Sequence, residues 1–263
     1  MTVRLPKLGA LRPRASDTAF TLDNDSSISL HFDYFGVQSV MKKENPNELV
    51  LSYTRAMMSF SLFLPQPEDI LIIGLGGGSM AKFCAQRFPS ARITVVEVDA
   101  SVIALREKFH VPPDSDHFRV VHAEGAKYLA RQRGVADVIL VDAYDKRGLP
   151  PQFAAQFFFD SCVLALRSPG VLSMNFAGGM QTAGGALSKM RTSFDGLVYR
   201  AKTPNDNIVS IALKGLPAPD WTEVDMRAAA LKQEAGLDLF GYTAQLRQSA
   251  ERRPSQQLLA DYG

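Results

Sequence analysis

The chain has 263 residues, 46% of them hydrophobic, and a formal net charge of +2. That balance suits one large α/β unit with additions or two small domains. It makes no demand for nucleic acid, and no apolar run approaches the roughly twenty residues that cross a bilayer. Cys84 and Cys162 are the only cysteines; both fall in expected amphipathic helices and read as reduced core thiols, which favours the cytoplasm. His31, His110, His117 and His122 show no metal-ligand spacing, so no metal is expected. Residues 1–16 hold Arg4, Lys7, Arg12 and Arg14 with no acid and no apolar signal segment, and read as a mobile leader.

Alternation predicts strands at Thr18 to Asp23, Ile28 to Tyr34 and Val37 to Lys42, a small antiparallel layer. Leu49 to Leu64 reads as an apolar helix stopped by Pro65 and Pro67, closing a first unit over residues 17–64. Asp69 to Ile73 is a buried strand that runs into Gly74-Leu75-Gly76-Gly77-Gly78, and a helix follows. Arg92 to Glu97 is a second strand, Ala100 to Phe109 a helix, and Phe118 to His122 a third strand before Glu124-Gly125 and a helix through Arg131. Ala136 to Asp142 is a fourth strand, apolar from Val138 until its last residue, and Gln152 to Leu166 is a helix. Pro169-Gly170 is expected to turn into a strand from Val171 to Phe176, and Gly178 to Gly185 reads as a flexible connection. After a helix from Ala186 to Phe194, Leu197 to Lys202 and Asn207 to Lys214 flank a hairpin signal. From residue 216 onward the chain is a charged helical appendage.

Right-handed crossovers make the first five of these central strands parallel. With the terminal hairpin they predict the seven-stranded sheet of a class I methyltransferase-like Rossmann fold over residues 65–215. In such a sheet the ligand sits beyond the carboxyl ends of the strands. Gly74 to Gly78, Glu97, Glu124 with Gly125, and Asp142 all fall there. Glycines allow close backbone approach to a nucleotide, and an acid about twenty residues on can hold ribose hydroxyls. The acid-Gly pair after the third strand favours an adenosyl sulfonium over NAD, although Gly76 to Ala81 also fits the dinucleotide pattern G-x-G-x-x-A. Asp142 is the sharpest catalytic candidate, because a carboxylate at the end of a buried strand points into the crevice. Asp145 could pair with it to bind an ammonium and take its proton, or could merely cap a turn. Tyr53 and Tyr144 are candidate walls of an acceptor pocket, with packing as the plainer reading.

From Ile28 to Gly215 the sequence resembles the spermidine synthase (polyamine aminopropyltransferase) family. The carriers are Ile72 to Gly78, Val96-Glu97-Val98-Asp99, Glu124-Gly125 and Val141 to Asp145. The resemblance implies a transferase of the polyamine-biosynthesis type, commonly a dimer, that uses decarboxylated S-adenosylmethionine and a small-molecule amine acceptor. Glu97 would hold the ribose, Glu124 the adenine, and Asp142 would accept the proton; Gln38 would stand for a family glutamine. Three positions depart. Gly77 replaces the loop acid of G-G-G-D-G, Tyr53-Thr54-Arg55 replaces Tyr-His-Glu, and Glu124 replaces Asp. Loss of the loop carboxylate weakens discrimination against the carboxylate of intact S-adenosylmethionine, and Arg55 would oppose a dicationic diamine if it faced the site. Methyl transfer from S-adenosylmethionine therefore stays open, as does a non-catalytic nucleotide-binding module. An NAD-dependent oxidoreductase is the weakest rival, lacking a recognisable catalytic Tyr-Lys or His arrangement.

Overall fold

The computed structural model describes residues 18–32, 36–145 and 147–251. The leader expected at 1–16 lies outside them, as do Tyr34 and the last residues of the appendage. Strands β1 (Phe20–Asp23), β2 (Ser27–His31) and β3 (Val37–Lys42) form the expected antiparallel layer, in the order β1-β2-β3.

The main sheet has seven strands: β4 (Asp69–Ile73), β5 (Arg92–Glu97), β6 (Phe118–His122), β7 (Ala136–Val141), β8 (Leu166–Phe176), β9 (Val198–Lys202) and β10 (Ile208–Lys214). Their order is β6-β5-β4-β7-β8-β10-β9. Strands β4 to β8 pair in parallel, and β10 runs antiparallel between β8 and β9. This is the predicted class I methyltransferase-like architecture. The continuous apolar runs of β4 and β7 follow from burial on both faces. Ile70, Ile72, Val138 and Leu140 enter one core, while Leu71, Ile73, Ile139 and Val141 enter the other, as a period of two requires. The strand order reverses at β4 and β7, so the crevice opens at their carboxyl ends, where Gly74 and Asp142 lie.

Several elements differ from expectation. The predicted helix from Leu49 to Leu64 is a short α1 (Ser52–Met57) followed by a 3-10 turn, Met58–Leu62. Hydroxyls compete for its carbonyls: Thr54 Oγ1 donates to Leu51 O at 2.7 Å and Ser61 Oγ to Met58 O at 2.8 Å. After α2 (Ser79–Arg87) and β5, the expected helix to Phe109 keeps α geometry only in α3 (Ala100–Ile103). Beyond it the bonds tighten to i→i−3, as in Leu105 N to Val102 O at 3.1 Å. Buried Lys82 of α2 then anchors the segment, donating from Nζ to Phe109 O at 2.6 Å; desolvation pulls this ammonium down to about 8.

Helix α4 (Gly125–Ala130) precedes β7, and a 3-10 turn at Pro151–Ala154 precedes α5 (Gln156–Ala165). Strand β8 starts at Leu166, because Pro169-Gly170 does not interrupt it and Gly170 pairs with Lys214. The stretch expected to be flexible is the first half of α6 (Gly179–Ser193). Gly178 and Gly179, at φ of 85° and 69°, make the left-handed entry.

The appendage forms α7 (Trp221–Ala235) and α8 (Phe240–Glu251). It supplies no described wall of the ligand cavity. Trp221 meets Tyr199 and Phe63 edge to face, and α8 covers the edge strand β9. There the Gln245 amide imitates a neighbouring strand: Oε1 accepts from Lys202 N at 2.8 Å and Nε2 donates to Lys202 O at 3.1 Å. Such cover removes a template for edge-to-edge pairing. Gln245→Ala is expected to cost about 1 kcal/mol and to lower Tm by about 2–4 °C in a melting curve. Among the described residues no helix is long and apolar enough to cross a membrane.

Candidate active site

A cavity of about 970 Å³ opens at the carboxyl ends of β4, β5, β7 and β8. It lies near the upper end of the range for small-molecule sites, leaving room for a nucleoside and a second reactant together. Gln38, Tyr53, Gly74, Gly76, Glu97, Glu124, Gly125, Asp142, Tyr144 and Asp145 all line it. These are the expected site residues except Gly77 and Gly78.

Gly74 sits at φ 99°, and a Cβ there would lie 2.2 Å from the Asp142 carbonyl oxygen. The glycine is what lets the loop and the end of β7 meet. Gly77 and Gly78 are buried behind the loop. A Cβ at Gly77 would meet Ser39 Oγ at 2.6 Å and the Phe109 ring at 2.9 Å; at Gly78 it would meet Val111 at 2.4 Å. A Cβ at position 77 would thus face β3 and Phe109.

Glu97, at the end of β5, is 8% exposed. Its Oε2 accepts from Leu75 N at 2.8 Å and its Oε1 from Asp99 N at 2.9 Å. Each carboxylate oxygen keeps one lone pair, so the group braces the glycine loop and can still receive two hydroxyls. Glu124 caps α4, accepting from Ala126 N at 3.1 Å and Lys127 N at 2.8 Å, and it borders the cavity with acceptor capacity in hand. Gly125 is required by packing, since a Cβ would lie 2.3 Å from Ile73 Cγ2.

Asp142 lies on the cavity floor. Asn175 Nδ2 donates to its Oδ1 at 2.9 Å, and the Tyr53 hydroxyl, which donates to Gln38 O at 3.4 Å, stands beside the carboxylate. Burial lifts the Asp142 carboxyl above the ordinary aspartate value; Asn175 and Tyr53 pull it down, and the Glu97 charge adds to the rise. Burial, then the Asp142 charge, raises the Tyr53 phenol well above its usual value, so Tyr53 remains a neutral donor. The Tyr144 hydroxyl donates to Asn175 O at 3.1 Å and accepts from Ala177 N at 2.6 Å, tying the loop after β7 to the end of β8. Asp145 is exposed at the rim. Its backbone pairs with Gly148 and its Oδ1 accepts from Arg147 N at 2.6 Å, so its carboxylate caps a turn. Arg55 is turned away: Nη1 donates to Leu49 O at 2.7 Å and Val50 O at 2.9 Å, which removes its objection to a cationic acceptor.

The expectation missed Asn175, Asn205 and Asn207, all on the cavity wall. Asn175 carried a usable signal, as the one amide near the end of an apolar strand. Among the described residues no group of His, Cys, Asp and Glu is placed to hold a metal ion.

Residues 50–181 match the spermine/spermidine synthase domain. The chain is 34% identical to the polyamine aminopropyltransferase of Chromobacterium violaceum over 227 residues, 85% of this chain and 87% of the relative. The chain belongs to the spermine/spermidine synthase family. The polyamine aminopropyltransferase of Neisseria meningitidis is also 34% identical, over 84% of this chain and 86% of its own. A probable spermidine synthase from Corynebacterium glutamicum shares the fold, with a TM-score of 0.71 at 19% identity, covering 89% of this chain and 90% of the other. The segment matched to the spermine/spermidine synthase domain holds Tyr53, the glycine loop, Glu97, Glu124 and Asp142; Gln38, Asn205 and Asn207 lie outside it.

Proposed function

We propose that this chain is an aminopropyltransferase that takes its aminopropyl group from decarboxylated S-adenosylmethionine and passes it to a small-molecule amine. The observation that carries this reading is the convergence of Gly74, Glu97 and Glu124 on one cavity with a half-buried Asp142, held by the Asn175 amide, at its floor. Glu97 would take the ribose hydroxyls on its free lone pairs, and Glu124 with the Gly125 backbone would meet the adenine edge. The bound sulfonium supplies a leaving group at carbon. The chain supplies orientation and a base. The acceptor nitrogen bonds to the carbon beside sulfur, the carbon–sulfur bond breaks with its electron pair going to sulfur, and the amine proton goes to an Asp142 oxygen. Asp145, at the rim, would attract the cationic acceptor on its way in.

The base works ionised. Because the Asp142 value is raised, the acid limb of kcat/KM against pH is expected above the ordinary aspartate range, with activity falling as pH drops through it. Linkage gives the matching sign for stability. The native state keeps this proton where the unfolded chain has lost it, so Asp142 makes folding less favourable as pH rises through that window. A pH–rate profile compared with the pH dependence of Tm checks both.

A second reading, methyl transfer from S-adenosylmethionine, draws support from Gly77, where no carboxylate repels the carboxylate of that cofactor. Calorimetric titration separates the readings at the level of binding. Decarboxylated S-adenosylmethionine should bind tighter than S-adenosylmethionine, and Glu97→Gln should weaken both; a reversed preference would favour methyl transfer, and binding with no turnover on any amine would favour a non-catalytic nucleotide-binding module. We place the enzyme in the cytoplasm, where the free, buried Cys84 and Cys162 would stay reduced, and propose a homodimer through the edges of the β1–β3 layer.

A further inference from the structure

The Asn175 amide has a partner at each end. Its Nδ2 donates to Asp142 Oδ1, and its Oδ1 accepts from Asn207 Nδ2, each at 2.9 Å. Asn175 is 2% exposed, so water cannot replace either partner. Asn207 stands at the foot of the β9–β10 hairpin, half-buried against the cavity, with its N–H donating to Thr203 Oγ1 at 3.2 Å. The chemistry sets the direction of this chain of bonds. An ionised carboxylate only accepts, so Asn175 must turn its NH₂ toward Asp142 and its carbonyl toward Asn207. Asn207 must then turn its own NH₂ inward.

We propose that Asn207 and Asn175 form a two-amide relay that orients the Asp142 carboxylate and holds it ionised, and that Asn207 is a positioning residue acting only through Asn175. The groups facing Asp142 are Tyr53 from α1, Glu97 from β5 and Tyr144 from the following loop. Both tyrosines are neutral, their phenols raised by burial. Burial and then the Glu97 charge push Asp142 toward its protonated form, and the Asn175 bond with Tyr53 opposes them. A buried chain of hydrogen bonds polarises along its length, so the outer amide strengthens the inner bond. The relay needs no assumption about turnover; its catalytic consequence rests on the reading of Asp142 as the base.

The test is a carbon-13 NMR titration of the aspartate carboxyls in the ligand-free protein, with the Asp142 signal assigned by its loss in Asp142→Asn. Asn175→Leu is expected to raise the Asp142 midpoint by about one to two pH units. Asn207→Ala, at a half-buried hairpin position, is expected to raise it by about half a unit. Asn207→Ala should add nothing in the Asn175→Leu background, since its path to Asp142 is already cut. No shift from Asn207→Ala alone, or the same shift in both backgrounds, would overturn the relay. Should Asn175→Leu fail to fold, the single Asn207→Ala titration still decides. The acid limb of kcat/KM should follow the NMR midpoint; the NMR shift without any turnover would uphold the relay and remove the transferase reading.

Discussion

Asp142→Asn is expected to lower kcat by about 10²- to 10⁴-fold, the usual range for removing a general base. The substitution leaves the site standing. The new carbonyl can accept from Asn175 Nδ2 as Oδ1 does now, and the new NH₂ can meet the Tyr53 oxygen, so neither neighbour is orphaned. Binding of the sulfonium should weaken by no more than about tenfold, the loss of one charge–charge attraction inside the cavity. The split between a collapsed kcat and a nearly intact Kd, read by single-turnover kinetics and calorimetry, separates a chemical role from a binding one. Turnover within a factor of a few of the parent would remove Asp142 from the mechanism.

Gly74→Ala should cost about 3–5 kcal/mol, combining a disfavoured positive φ with overpacking. The φ of 99° is strained for any residue with a Cβ, and the atom met at 2.2 Å is the backbone oxygen of Asp142, which has no rotamer to escape into. Relief would require β4 and β7 to part at their carboxyl ends and so move the base. Tm should fall by roughly 6–20 °C, and activity should fall further than stability alone explains. Gly184→Ala is the control. A Cβ there meets nothing within 4 Å, in the middle of α6, and should stabilise by about 0.5–1 kcal/mol. Equal effects at the two glycines would mean that the contact between the loop and β7 does not govern the site.

The strands were legible because their residues obey one rule. Runs buried on both faces, such as Ile70 to Ile73 and Val138 to Val141, are apolar, and the polar residues that end the strands, Glu97 and Asp142, sit where the crevice begins. Glu124-Gly125 was legible as a pair, although the packing reason for Gly125, the approach of Ile73, lies about fifty residues away in the chain and is invisible in sequence. The errors have physical causes too. Gly178 to Gly185 looked like a loop because glycine is a poor helix former, yet only its first two glycines use their conformational freedom. At Gly77 a Cβ would point at Ser39, a direction that no spacing reveals. Arg55 would oppose a cationic acceptor only if it faced the site, and local carbonyls turn it away. Asn175 and Asn207 were missed because amides carry no periodic signature, and their pairing across β8 and β10 exists only in the folded sheet.

Identifying the product by mass spectrometry tests the central claim most directly. The purified protein is given decarboxylated S-adenosylmethionine and S-adenosylmethionine together with a pool of small amines, and Asp142→Asn runs in parallel. The account predicts methylthioadenosine and an amine heavier by one aminopropyl group, both falling to the no-enzyme level in the variant. S-adenosylhomocysteine with a methylated amine would contradict it and place a methyltransferase on this frame.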